Sequence, residues 1–238
     1  MPEPVRFGPA GADAPVLEEL AVSVYLNGRP LTAAMTVPDR LRELAIGLLV
    51  AEQVIRSMDE VESVREDGPC VRILTRDPFR VVVPRRGLVT GCGGAASHLA
   101  ERRLPPLPPR PSVALALVRA ALGAVSSPPE GLFSAALLGS DGPVAASDDL
   151  GLSTALARVI GAAVLIGTAR SDTVAAVSHR ATAELARAAV AAGVPVLATA
   201  GLPTGLAVEL AERTGLCLCG LGGANGFVCY AHPERLRA

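Results

Sequence analysis

A chain of 238 residues can hold one large domain or two small ones, and half of it is hydrophobic, yet aromatics reach only 3% and tryptophan is absent, so the core has to be built from Ala, Val, Leu and Ile. The formal net charge of -1 supplies no field to draw in nucleic acid or an anionic membrane. All 22 basic residues are arginine, which excludes Schiff-base chemistry on lysine and a Walker-type phosphate lysine.

The opening Met1-Pro2-Glu3-Pro4 lacks the apolar region of a signal peptide, and the longest apolar stretches, such as 159–167, are too short to span a bilayer. A cytosolic protein with no membrane partner is expected. Its five cysteines (Cys70, Cys92, Cys217, Cys219, Cys229) are an odd number and read as free thiols.

Residues 1–16 form a loose, Pro-rich lead-in. Residues 18–26 alternate and suit a strand, Asn27-Gly28 is a hairpin turn signal, and 31–37 is the returning strand. Asp39 is placed to cap a helix in which Leu41, Leu44, Ala45, Leu48 and Leu49 fall at helical spacing, running to residue 55. Short strands at 61–64, 71–74 and 79–83 follow between charged turns. Five prolines in residues 104–111 forbid helix and ladder alike, so this segment is read as a stiff connector. It divides an N-terminal α+β domain (1–103) from an α/β domain (112–238).

In the second half, 113–125 reads as helix, and 132–138 with 143–146 as strands joined by the turn Ser140-Asp141-Gly142. Then come a helix at 152–160, an apolar strand at 162–166 and a long helical region at 174–192 ending at Gly193. A buried strand at 194–198, a helix at 203–213 with Pro203 in its first turn, a strand at 216–221 and a turn at Asn225-Gly226 into 227–230 complete the chain. Such alternation predicts an α/β layered sheet with a closing hairpin.

The segment Val89-Thr90-Gly91-Cys92-Gly93-Gly94-Ala95-Ala96 sets one thiol among small residues. Flanking glycines let the backbone approach a sulfur donor or acceptor closely, and an ionised thiol is a nucleophile and a sulfur carrier. A buried cysteine in a tight turn would look the same. His98, six residues on, is either a base for that thiol or a solvated residue at a helix start; His179 reads as a surface residue in a helical pattern and His232 as structural. Cys217 and Cys219 face one side of a strand, but zinc spacings are absent, so both are read as core packing and no metal site is expected. The Gly-rich stretch from Leu221 through Gly222, Gly223, Ala224 and Asn225 to Gly226 follows a strand but precedes no helix, which argues against a dinucleotide fingerprint. It is either a flexible hairpin loop or a backbone-lined ligand rim. Ser147-Asp148-Asp149 is read as an acidic turn capping the next helix, and Arg170 as a residue at the carboxyl end of a buried strand, suited to a carboxylate or phosphate.

Several segments together resemble the formate dehydrogenase accessory sulfurtransferases, the FdhD family. They are Leu26-Asn27-Gly28, Met35-Thr36-Val37-Pro38-Asp39, Glu43 to Gly47 with Glu52, Thr90-Gly91-Cys92-Gly93, Pro203 to Ala211, and Val228-Cys229-Tyr230 with Pro233-Glu234-Arg235. The resemblance implies a homodimer whose second half is a cytidine deaminase-like three-layer α/β/α domain. It implies that sulfane sulfur passes from a cysteine desulfurase to a persulfide on Cys92. From there it would go to a molybdenum oxidoreductase whose molybdopterin guanine dinucleotide the protein holds, with Arg170 and Leu221 to Gly226 lining that pocket.

The chain departs from the pattern at several points. The second loop cysteine falls on Ala95, and the D-x-G-R-H-N-A-x-D-K signature reads Asp149 to Arg158 with Leu152, Ser153, Thr154 and Ala157 at the Arg, His, Asn and Asp. The family's strand histidine falls on Ser134, its S-G-R turn on Thr168-Ala169-Arg170 and its F-x-R loop on Leu221-Gly222-Gly223. A charged hydrogen bond contributes ~1.5–3 kcal/mol, so losing three or four weakens a dinucleotide by orders of magnitude. A one-cysteine loop holds a persulfide but cannot resolve it as an internal disulfide. The competing readings are an enzyme on the same scaffold with a smaller, less polar substrate, and a non-catalytic binding protein.

Overall fold

The computed structural model describes residues 16–78, 104–109, 112–222 and 226–238. The expected strand at 79–83, Cys92, Ala95, His98 and Gly223 to Asn225 lie outside these residues.

The N-terminal hairpin forms as its Asn-Gly signal predicts: β1 (Leu20–Leu26) pairs antiparallel with β2 (Arg29–Thr36), and Asn27 and Gly28 both take positive φ. Helix α1 (Leu41–Ala51) follows, then β3 (Val61–Asp67) and β4 (Cys70–Thr75), giving a four-stranded sheet in the order β2-β1-β4-β3. Asp39 does not cap α1. The N-cap position is Arg40 in the left-handed region with no side-chain cap, and Asp39 accepts from Arg40 Nε at 3.0 Å instead.

The connector is not a free spacer. Leu104 and Leu107 are buried, the Leu107 N–H donates to Thr214 O at 2.8 Å, and buried Arg235 donates to Pro108 O at 2.6 Å. Beyond it come β5 (Val113–Ala114), α2 (Leu115–Val125), β6 (Phe133–Gly139), β7 (Gly142–Asp149), α3 (Leu152–Leu165), β8 (Val174–Val177), α4 (Ala183–Ala191), β9 (Val196–Thr199), α5 (Gly205–Thr214), β10 (Cys217–Leu221), β11 (Phe227–Ala231) and β12 (Leu236–Arg237). The main sheet runs β11-β10-β9-β8-β6-β7, with β8, β9 and β10 parallel; β12 pairs with β5.

Alternation along the strands splits the core in two. Val174, Ala176, Val196, Ala198, Cys217 and Cys219 face α2, whereas Ala175, Val177, Leu197 and Leu218 face the side of α3, α4 and α5. Helices thus cover both faces, a three-layer α/β/α arrangement. The second of these cores continues without a break into Val22, Val24, Ile46 and Leu49 of the N-terminal sheet and α1.

Two expected elements change type. Residues 162–166 are not a strand but the end of α3, and residues 174–192 are not one helix but β8, a turn and α4. The end of α3, Ala162-Ala163-Val164-Leu165, is a short apolar run packed between the sheet and α1, and so short a run carries no period of its own. The run Val174-Ala-Ala-Val177 is buried on both faces and flanked by β6 and β9, and a short apolar run carries no period of its own.

The α1–α3 crossing depends on glycine. A Cβ at Gly47 would lie 1.7 Å from Ala157 O, and one at Gly161 would lie 1.8 Å from Glu43 O. With no lysine available, arginine supplies the internal clamps: Arg187 of α4 donates to Ala51 O at 2.6 Å and pairs with Glu52 at 2.6 Å. Thr36, Gly47 and Glu52 of the N-terminal motifs are therefore docking residues for the second half.

Candidate functional site

Three parallel strands end side by side at one edge of the main sheet, where open α/β sheets bind ligands. Antiparallel β6 begins there and β7 ends there, so Phe133 and Ser134 of β6 and Ser147, Asp148 and Asp149 of β7 share the edge with the turns after β8, β9 and β10.

The serine at 134 ties two of these elements together: its N–H donates to Ser178 Oγ at 3.0 Å, its carbonyl accepts from Ser178 N–H at 2.9 Å, and its hydroxyl donates to Asp148 Oδ1 at 2.5 Å.

The turn after β8 carries Ser178, His179 and Arg180. Ser178 is buried, while His179 and Arg180 are exposed. Ser178 Oγ accepts the Ser134 N–H and lies 3.0 Å from His179 Nδ1, so the two side chains share a hydrogen bond. The imidazole packs edge-on to Phe133 with ring centroids 4.8 Å apart, which holds its plane. The buried Thr199 hydroxyl donates to His179 O and accepts from Gly201 N–H at 3.1 Å, locking the β8 and β9 turns together. Gly201 is required by this contact, since a Cβ there would lie 2.9 Å from Arg180 N. The third strand joins through Leu221, whose N–H donates to Gly201 O at 2.8 Å.

Around this polar centre the edge is apolar. Leu202, Leu206 and Leu221 are all at least half exposed. On the side of α3 and α4, half-buried Ser153 hydrogen-bonds the Glu184 carboxyl, which burial pushes above the usual carboxylate range. The site can therefore offer the His179 imidazole and the carboxyl groups of Asp148 and Glu184.

Behind the edge lies a buried ion pair. Asp149 and Arg158 are fully buried and 2.8 Å apart. The Asp149 carboxylate also accepts from Thr36 Oγ1 at 2.6 Å, Val37 N–H at 3.2 Å and Leu150 N–H at 2.7 Å. Arg158 donates to Ser147 Oγ at 2.9 Å and Thr36 Oγ1 at 2.6 Å. Burial pulls its guanidinium below the ordinary arginine range, and Asp149 opposes that shift. Asp149 therefore does not cap α3, whose N-cap position is Gly151 with no side-chain cap. It is the fastening between β2 and β7.

The sequence-predicted site residues do not all converge. Leu221 and Gly222 lie at the edge, and Gly226 opens the strand that pairs with Leu221 through Phe227. Arg170 lies at the opposite end of the parallel strands. The segment before it is helix, and Arg170 precedes β8, donating to Ala192 O at 2.6 Å and Arg56 O at 3.0 Å. The place expected for Thr168-Ala169-Arg170, after a parallel strand at its carboxyl end, is held by Ser178-His179-Arg180 after β8. Sequence reasoning misses Ser178, His179 and Glu184, because a single helix over 174–192 hides the turn that exposes them. The signal that could have found them is the Ser-x-Arg spacing directly after an apolar tetrapeptide. Three further thiols, Cys217, Cys219 and Cys229, gather on the α2 side of the sheet rather than at this edge.

Among the described residues, no helix is long and apolar enough to cross a membrane. The model of the FdhD/NarQ family matches residues 17–237. A sulfur carrier protein FdhD from Anaeromyxobacter dehalogenans is 36% identical, with 98% of this chain and 91% of the relative covered. Another, from Bordetella bronchiseptica, is 29% identical over 96% of this chain and 90% of its own length. A crystal structure from Desulfotalea psychrophila, provisionally named a formate dehydrogenase accessory protein, superposes with a TM-score of 0.74 at 18% identity, covering 92% of this chain and 90% of that one. With residues 17–237 matched by the family model and 98% of the chain covered by a 36% identical relative, this chain belongs to the FdhD/NarQ family.

Proposed function

We propose that this chain is a sulfur carrier that holds sulfane sulfur on Cys92 and delivers it to a molybdenum-dependent oxidoreductase. The observation that carries this reading is family membership over residues 17–237, with relatives named sulfur carrier proteins, in a chain that keeps the Thr90-Gly91-Cys92-Gly93 loop. The accessory naming of the Desulfotalea structure supports the choice of acceptor.

The Cys92 thiolate attacks the outer sulfur of a cysteine persulfide on the desulfurase. The S–S bond of that persulfide breaks, and the desulfurase cysteine leaves as a thiolate. The acceptor then supplies an electron pair to the outer sulfur, and Cys92 leaves as a thiolate. Ala95 provides no second thiol in the loop, so delivery is direct.

The described part of the edge is a poor match for a guanine dinucleotide. A pyrophosphate needs clustered cations. Here Asp148 and Glu184 share the edge with Arg180, Leu152 and Ser153 stand at the signature's Arg and His, and Arg170 is at the far end of the strands. This supports an acceptor group gripped by the His179 ring and apolar contact. No step is routed through the dinucleotide.

Incubation with a cysteine desulfurase and free cysteine should add one sulfur atom to the intact mass of the chain and none to that of Cys92→Ala. An unchanged wild-type mass, under conditions that load a two-cysteine relative, would overturn the reading. The apolar rim of Leu202, Leu206 and Leu221 favours a second reading, an enzyme of this fold acting on a smaller, less polar substrate. Thermal stabilisation by a small metabolite but not by guanine nucleotides, with full function in Cys92→Ala, would select it.

A further inference from the structure

Strand β10 sends Cys217 and Cys219 to the same side of the main sheet, and β11 brings Cys229 opposite Cys219. The Cys217 sulfur lies 3.6 Å from that of Cys229 and 3.8 Å from that of Cys219, and all three lie within 4.8 Å of one another. All three are free thiols. Three sulfurs in mutual contact are not needed to fill an apolar core: Val196 and Ala198 on the next strand do that beside Cys217 and Cys219 with side chains that carry no ionisable proton.

The spacing is that of a coordination shell. Thiolates about 2.3 Å from a zinc ion are separated by about 3.8 Å in tetrahedral and about 4.0 Å in trigonal geometry. Two of the three edges already match, and the third is no longer than 4.8 Å. Access is asymmetric, because Cys217 and Cys219 are fully buried whereas Cys229 on edge strand β11 is only half-buried. An ion can enter past Cys229 and leave one coordination position facing outward.

We propose that Cys217, Cys219 and Cys229 form a three-thiolate site for a thiophilic divalent ion, zinc foremost. Binding forms three metal–sulfur bonds and releases up to three protons. A divalent ion leaves one net negative charge on the cluster, less than a monovalent ion would leave, and burial favours the smaller charge. Among the described residues the trio stands without a histidine or carboxylate ligand, and an all-sulfur set selects zinc over calcium or magnesium. The site fastens β11 to β10 and does not depend on Cys92 or on the proposed sulfur transfer.

The full chain, purified with a non-chelating reductant, should bind one zinc ion, and cobalt in its place should give a thiolate-to-metal charge-transfer band. Cys229→Ser should weaken zinc at least tenfold while keeping its circular dichroism spectrum, and Cys219→Ala provides a second loss in a residue of similar volume. Cys92→Ala should bind zinc as the wild type does, which separates this site from the carrier loop. Substoichiometric zinc in the wild-type chain, a charge-transfer band that persists in Cys229→Ser, or a band lost in Cys92→Ala would overturn the proposal.

Discussion

Replacing Asp149 by asparagine tests whether the buried ion pair fastens the two halves of the chain. Asparagine keeps an oxygen for the Val37 and Leu150 N–H groups but removes the charge 2.8 Å from Arg158. Arg158 is fully buried, so no solvent replaces the lost carboxylate, and its Nε has no hydrogen-bond partner. Breaking a buried pair from one side costs about 3–5 kcal/mol. For a chain of this size each kcal/mol lowers Tm by roughly 2–4 °C, which gives a fall of roughly 6–20 °C. Melting followed by far-UV circular dichroism at pH 7 is the assay. Arg158→Met alone should be milder, because Asp149 still accepts from Thr36, Val37 and Leu150. The double variant should lose less than the two single losses added together. A Tm for Asp149→Asn within about 2 °C of wild type, or strict additivity, would refute the argument.

Three further outcomes follow from the geometry. Gly47→Ala should destabilise by about 3 kcal/mol in urea denaturation, the top of the overpacking range, since its methyl meets the Ala157 carbonyl. Gly123→Ala on α2, with open space around it, should stabilise by up to about 1 kcal/mol; equal effects at the two sites would contradict the close crossing. Glu184 holds its proton more tightly when folded, so its contribution to stability is present below pH 4.5 and is lost as pH rises through its raised folded value. Glu184→Gln should thus melt above wild type at pH 8 and level with it at pH 4, and the reverse order would show that burial is not the dominant cause. His179→Ala should leave Cys92 loading intact but slow delivery to the acceptor, whereas Arg170→Met should lower Tm and leave delivery unchanged; parallel kinetics for the two variants would dissolve the distinction between the two ends of the sheet.

The order of most elements is legible because local signals agree, as at the Asn27-Gly28 hairpin and in the apolar spacing of α1; Pro203, read into the first turn of α5, instead precedes its N-cap Thr204, whose Oγ1 accepts from Ala207 N–H. The misreadings fall where burial erases periodicity. The end of α3 is enclosed by the sheet and α1, and β8 by its two neighbours, so each is a short apolar run that does not tell helix from strand. A strand at 162–166 would put Arg170 at the other end of the sheet, and a continuous helix over 174–192 would bury the turn that carries His179; the chain forms neither.

The sequence by itself determined the family, the α/β class, the arginine-only chemistry and the glycine-flanked thiol at position 92, because these rest on residue identity and on patterns within a few residues. Tertiary structure alone decided which polar groups meet. Asp149 joins Thr36 and Arg158 from different elements, Ser134 meets Ser178 across paired strands, and Cys229 reaches Cys217 across a hairpin. Such contacts are set by strand register and helix packing, which no local spacing encodes.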